Sequence, residues 1–160
     1  MPGEGEDIRE ALARALEWED AHTGFEAAVA GLARELRGRT PPGFPHSVWQ
    51  LAEHLRLAQR DILEFCCDPE YLEREWPKDY WPPDAAPPDD SVWEARLAAV
   101  RADRAALIHL VRDSARSLIA PIPHGDGQML LREILLVIDH NAYHVGQIVA
   151  VRRALGAWER

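Results

Sequence analysis

The segment "LLREILLVIDHNAYHVGQIVAVRRALG", residues 130–156, decides what kind of fold this chain can form. Its apolar residues recur every three or four positions, which is the period of an α-helix that buries one face. We predict that this helix starts near Asp126, a candidate N-cap in "GDGQ", and continues to about Leu155, where Gly156 ends it. At about 1.5 Å per residue, such a helix would be roughly 40 Å long.

The rest of the chain offers three more helical segments. We predict a first helix over residues 7–36, although Gly24 and Gly31 weaken its continuity. The motif "SVWQ" at residues 47–50 is a capping box that starts a second helix, and "SVWE" at residues 91–94 repeats the device for a third. Four long helices without a long alternating pattern predict an all-α, four-helix bundle in one domain, residues 1–160.

A proline-rich, acidic segment, "DPEYLEREWPKDYWPPDAAPPDD" at residues 68–90, lies between the second and third helices. Four large aromatic residues are spaced along it: Tyr71, Trp76, Tyr80 and Trp81. A flexible tail would not carry so many, so we expect part of this long loop to pack against the bundle. Long ordered loops are often functional, which makes it a candidate lid or pocket wall. The alternative is a connection that only carries the chain to the far end of the bundle.

The composition of the chain limits the kinds of partner that it is expected to bind. The net charge is −9, from 27 acidic and 18 basic residues, whereas nucleic-acid binding needs a basic face. No apolar run reaches the ~18 residues of a membrane span, and the acidic N-terminus lacks a signal-peptide pattern. We therefore expect a cytoplasmic protein that binds neither nucleic acid nor membranes. Cys66 and Cys67 are adjacent and lack the CxxC spacing of a metal or redox site, so we interpret them as ordinary thiols.

The stretch "DHNAYHVGQ", residues 139–147, carries two histidines inside the apolar last segment. His140 and His144 are four residues apart, so a helix places both rings on one face. The pair is like that of H-E-x-x-H metalloproteases, but Asn141 stands where the catalytic glutamate would be, which excludes that class. His54 lies on the apolar face of the second helix and is the best candidate for a third ligand. Each histidine alone could be a hydrogen-bonded core residue, whereas one divalent ion would satisfy all three together.

Three neutral imidazoles that leave a coordination position open are typical of catalytic metal sites. Zinc is the first choice, and nickel, iron or manganese would also suit imidazole ligands. Asp139, Asn141 and Gln147 are candidates to orient the ligands or a bound water, with solvent exposure as the alternative for Asp139 and Asn141. The other histidines are weaker candidates for metal binding: His22, His46, His109 and His124.

The segments "SVWQLAEHLRLAQRDILEF" and "LLREILLVIDHNAYHVGQIVAVRRALG" together resemble the DinB-like (DinB/YfiT) superfamily of metal-dependent four-helix-bundle proteins. The resemblance covers most of the chain. Carried over by position, the family's three metal-binding histidines fall on His54, His140 and His144. The resemblance also implies an up-down-down-up topology, in which the second and third helices are parallel. The long crossover at residues 68–90 agrees with that topology. Many relatives form homodimers, so the resemblance implies a homodimer here.

Three functions follow from these observations. Characterised members of the wider superfamily include thiol-dependent S-transferases and a thiol-dependent maleylpyruvate isomerase. The resemblance therefore implies an enzyme whose metal ion binds a low-molecular-weight thiol and presents a thiolate to a small electrophile. Metal-dependent hydrolysis is an alternative, but the candidate bases, Glu53 and Glu133, are poorly placed on their helices relative to the histidines. A non-catalytic, metal-stabilised or stress-linked binding module is the third possibility. The sequence assigns no catalytic residue.

Overall fold

The computed structural model describes residues 4–17 and 21–158, and within these residues the regular structure is helical. An isolated bridge between Pro121 and Met129 is the one β-type pairing in the described ranges. The all-α class predicted from the periodicity is confirmed. The α-helices are α1 (Glu4–Leu16), α2 (Phe25–Val29), α3 (Val48–Cys67), α4 (Asp90–Arg112) and α5 (Leu130–Ala154), with a 3-10 turn at Arg34–Leu36.

The prediction of one continuous first helix over residues 7–36 is wrong. Helix α1 ends at Leu16 and α2 occupies only five residues, while residues 18–20 of the predicted helix lie outside the described ranges. Gly24 is extended at the N-cap of α2, and Gly31 after it has a φ of +64°. The positive φ at Gly31 favours glycine over other residues, and the extended backbone at Gly24 is not helical, so the helix is interrupted at both positions.

Helix starts depend on which side chain reaches the first free amide groups. The capping box of α3 is confirmed, because Ser47 Oγ accepts from the Gln50 amide at 3.2 Å and Gln50 Oε1 accepts from the Ser47 amide at 3.1 Å. At α4 the predicted cap is wrong. The carboxylate of Asp89 accepts from the Val92 amide at 2.9 Å, and the Ser91 hydroxyl donates to that carboxylate instead.

The start of α5 also differs from the prediction. The helix begins at Leu130 after Met129, which makes no side-chain cap, and Asp126 belongs to the preceding turn. Gly127 in this turn has a φ of +102°, a conformation outside the helical region, so the helix cannot extend back to Asp126. At the other end, Gly156 has a φ of +68° and stops the helix as predicted.

The core consists of two apolar clusters with polar residues between them. One cluster contains Leu55 of α3 and Val145 of α5, and the other contains Leu63 and Val137 of the same helices. The segment between the clusters on α5 is the one that carries the histidines. The buried polar residues His54, Gln59, Asp103 and His144 lie along the corresponding stretches of α3, α4 and α5. The fold therefore places the candidate site at mid-height of α3 and α5.

The loop between α3 and α4 packs against α3, as expected from its aromatic residues. The hydroxyls of Tyr71 and Tyr80 both donate to Asp61, at 2.9 and 2.6 Å. Arg74 forms ion pairs with Asp61 at 3.2 Å and with Glu64 at 2.8 Å. The side chains on two consecutive turns of α3 thus hold the loop down. Its role as a lid stays a prediction.

Among the described helices, α5 is long and apolar enough to cross a membrane by length and composition. The core helix of a soluble protein meets the same criteria. Helix α5 packs against α1, α2, α3 and α4, which suits a core helix. The expected absence of a membrane partner stays a prediction.

Candidate metal centre

The structure brings the three predicted histidines together. The candidate donor nitrogens of His54, His140 and His144 all lie within 4.8 Å of one another. Their ring centroids are 4.4 to 5.0 Å apart, and Nε2 of His54 is 3.1 Å from Nε2 of His140. Side chains eighty-six positions apart in sequence therefore meet because α3 and α5 pack together.

Hydrogen bonds orient two of these rings. Nδ1 of His54 lies 2.8 Å from the main-chain oxygen of Tyr80, and Nδ1 of His144 lies 2.7 Å from Oε1 of Gln147. Both oxygens can only accept, so each Nδ1 carries the hydrogen and donates it. The lone pair of each neutral ring is then on Nε2. This contact is of the kind expected of Gln147, whose role in orienting a metal ligand stays a prediction.

This donor set fits a divalent transition metal. A tetrahedral ion at about 2.0–2.1 Å from each nitrogen places neighbouring ligand nitrogens about 3.3–3.4 Å apart. The 3.1 Å between the Nε2 atoms of His54 and His140 is close to that spacing. Two nitrogen lone pairs at this distance repel unless a proton or a cation lies between them.

The protonation states also suit a metal ligand. Burial, together with the neighbouring imidazoles, lowers the pKa of each of His54, His140 and His144, here called the trio, to about 4. All three rings are consequently neutral at pH 7. A neutral imidazole can donate its lone pair, whereas a protonated one cannot.

The other two candidate supporting residues, Asn141 and Asp139, differ in burial. Asn141 is half-buried and points inward, where its amide donates to Gln59 Oε1 at 2.8 Å. Gln59 in turn donates to the main-chain oxygen of Val100 at 2.9 Å, so this network connects α5, α3 and α4. Asp139 is exposed, which was the alternative for this residue. Its charge acts on the site from a distance by opposing the fall in the pKa of His140.

A stack of three rings covers one side of the trio. The sequence did not indicate that His46 belongs to this stack. Trp81 stacks on His54 with centroids 3.9 Å apart and planes 3° apart. His46 stacks on the other face of Trp81, at 4.0 Å and 21°. His46 was a weak candidate for metal binding because it lies in a proline-rich turn. No sequence spacing predicts that this turn packs near His54. The cluster of aromatic residues in the loop was the one available signal.

The candidate bases for hydrolysis are already paired. The buried carboxylate of Glu53 accepts two hydrogen bonds from Arg56, at 2.7 and 2.8 Å, and lies 3.6 Å from Arg96. Glu133 is buried and accepts from Arg132. Both carboxylates are thus engaged by arginines. The other weak candidates lie outside the trio, as expected: His22, His109 and His124.

The helical fold and the three clustered imidazoles, contributed by two helices, are typical of helical proteins that bind a divalent metal ion through three histidines. The family profile of the DinB superfamily matches residues 17–148, which include all three histidines. The chain belongs to the DinB superfamily, so the resemblance seen in the sequence is confirmed. No curated protein and no solved structure shows a significant match to this chain.

Proposed function

We propose that this protein is a metalloprotein in which His54, His140 and His144 hold one divalent transition-metal ion, with zinc as the first choice. The observation that carries this proposal is the convergence of the three rings, whose candidate donor nitrogens all lie within 4.8 Å of one another. Membership of the DinB superfamily supports it.

We further propose that the site activates a low-molecular-weight thiol for transfer to a small electrophile. A bound divalent cation lowers the pKa of a coordinated thiol and makes a thiolate available at neutral pH. The chain itself contributes neutral ligands of fixed orientation in a site where His54 and His144 are only 3% and 6% exposed. The arginine pairing of Glu53 and Glu133 favours thiol transfer over hydrolysis, because hydrolysis needs a base within reach of the attacking water.

We propose that α1, α3, α4 and α5 form the up-down-down-up bundle implied by the family. Supporting contacts progress in the same direction along α3 and α4, from Trp49 beside Trp93 to Gln59 beside Val100. Contacts between α3 and α5 progress in opposite directions, since His54 meets His144 whereas Gln59 meets Asn141. The predicted homodimer and cytoplasmic location are part of the same proposal.

Elemental analysis of protein purified without a histidine tag tests the metal site. We expect about one transition-metal ion per chain, and loss of that ion in the variants His54→Ala, His140→Ala and His144→Ala. His109→Ala is the matched control, because His109 is exposed on α4 and outside the trio. Retention of a full equivalent of metal after His54→Ala or His144→Ala would refute this ligand set.

The thiol reaction needs a separate assay. Metal-loaded and metal-free protein would each be mixed with a haloaromatic electrophile and, in turn, glutathione, bacillithiol, mycothiol or phenylmethanethiol. We expect turnover with one of these thiols that depends on the metal. If every thiol reacts at the rate seen with metal-free protein, the S-transfer proposal fails and a metal-stabilised binding module becomes the better interpretation.

A further inference from the structure

Access to the trio is uneven. His54 and His144 are almost completely buried, whereas His140 is half-buried. His140 is therefore the member of the trio most accessible to solvent. The neighbours of His140 on the surface of α5 are Leu136, one turn before it, and Tyr143, three residues after it, since residues three and four apart share a helix face.

Apolar side chains lie beside the trio. Tyr143 is 64% exposed, and its ring makes an edge contact with His144 at 5.1 Å between centroids. Trp76 of the loop is 66% exposed and makes an edge contact with His54 at 6.2 Å. Leu136 is also exposed. We refer to Trp76, Leu136 and Tyr143 as the apolar rim.

The rim holds three of the seven large apolar side chains that are exposed in the described part of the chain. Trp76 of the loop contacts His54 and Tyr143 of α5 contacts His144, while Leu136 lies one turn before His140 on the same helix. Scattered exposed apolar residues need no explanation, but a group beside a candidate ligand site indicates a binding surface. Two of the three are aromatic, and aromatic rings bind other rings with a preference beyond the buried area.

We propose that the apolar rim is the substrate subsite of the metal centre and selects ligands that carry a flat apolar group, such as a phenyl ring, next to the donor atom. This inference rests on the proposed function, because the donor atom binds the ion held by the trio. Trp76 and Tyr143 are the specificity-determining residues. Their edge contacts with His54 and His144 place a bound ring beside the trio.

Thiol binding to cobalt-substituted protein tests this subsite without turnover. Phenylmethanethiol and ethanethiol would be titrated separately while the near-ultraviolet thiolate-to-cobalt absorption band is followed. Each thiol binds as a thiolate and releases its proton to the buffer. Both affinities are therefore expressed for the thiolate form, which corrects for the greater acidity of phenylmethanethiol and leaves the apolar group as the difference. We expect phenylmethanethiol to bind about fivefold more tightly than ethanethiol, given the usual gain of an aromatic pair.

The double variant Trp76→Ala/Tyr143→Ser should bind the two thiols with nearly equal affinity and still take up cobalt. Leu72→Ala is the matched control, because Leu72 is an exposed apolar residue of the same loop outside the rim, and it should keep the preference. Equal affinities in the unsubstituted protein, or a preference that survives the double variant, would overturn the subsite. A sedimentation shift from dimer to monomer in the double variant would also overturn it, since the rim would then be a contact between copies. Absence of the band with both thiols would refute the proposed thiol function, and this inference with it.

Discussion

Two oxygen atoms decide which nitrogen of His54 and of His144 is free to bind a ligand. The main-chain oxygen of Tyr80 accepts from one ring and the side-chain oxygen of Gln147 accepts from the other. Such partners fix the tautomer and the ring orientation of a metal-binding histidine. The contact to Tyr80 uses a main-chain atom and is kept by any residue at that position, whereas the contact from Gln147 can be removed by substitution.

We predict that Gln147→Leu lowers zinc affinity by about 10- to 100-fold, because the ring of His144 loses its acceptor and can rotate or change tautomer. Competition with a chromophoric chelator measures this change. Gln147→Glu is the control and should keep most of the affinity, since a carboxylate also accepts from Nδ1. A Gln147→Leu variant with the affinity of the unsubstituted protein would show that this hydrogen bond does not prepare the ring.

At the scale of elements, the loop at residues 68–89 is held to α3 through Asp61. Burial, together with the hydrogen bond to Asp61, raises the pKa of Tyr71 to about 12 and raises that of Tyr80 as well. Both hydroxyls therefore remain protonated donors at neutral pH. The same loop supplies Trp81 to the stack on His54. Anchoring of the loop and ordering of the site are thus coupled.

We predict that Asp61→Ala releases the loop, because two tyrosine hydroxyls and Arg74 lose their common partner. Limited trypsin digestion should cut several-fold faster after Arg74 and Lys78, and zinc affinity should fall as His54 loses the contact to Tyr80. Glu70→Ala is the control, because Glu70 is an exposed residue of the same loop, away from both cleavage sites, whose amide donates to Asp68. Unchanged cleavage in Asp61→Ala would mean that other contacts hold the loop.

At the scale of the whole molecule, the free energy of unfolding depends on pH through the three neutral histidines of the trio. In metal-free protein the trio has pKa values of about 4, compared with 6.5 for an ordinary histidine. Between these values the unfolded chain binds protons that the folded chain does not. By linkage, stability is then highest above pH 6.5 and decreases as the pH falls toward 4.

We predict that the urea midpoint of metal-free protein falls between pH 7 and pH 5, with an unchanged slope of unfolding free energy against urea. A His54→Gln/His140→Gln/His144→Gln variant should show a smaller decrease, because the side chains responsible no longer titrate. Paired carboxylates such as Glu26, whose pKa is lowered by Arg101 and Arg104 against the effect of burial, add to the loss only at lower pH. A midpoint that is equal at pH 7 and pH 5 would contradict this account.

The parts of the fold that could be predicted are those set by local spacing. Apolar residues every three or four positions indicated the long helices, and the Ser47–Gln50 pair marked the start of α3. The first helix was predicted too long because the period continues across Gly24 and Gly31, where the backbone leaves the helical conformation. The cap of α4 was misplaced because Asp89 and Ser91 both satisfy the local pattern, and which side chain reaches the free amides depends on the path of the loop before them.

The sequence by itself determined the helical class and the placement of His140 and His144 on one helix face, because both depend on short spacings and the regular geometry of the α-helix. The family followed from the resemblance of two segments to known members, which the family profile confirms. Only the tertiary structure decided that Tyr80 and Gln147 orient the rings, that Trp81 and His46 stack against the trio, and that Glu53 and Glu133 are occupied by arginines. Gln147, Glu53 and Glu133 lie within three positions of their partners, where packing selects the rotamer. The contacts of Tyr80, Trp81 and His46 join residues far apart in the chain. They form only when α3, α5 and the loop pack together, and no local pattern encodes that packing.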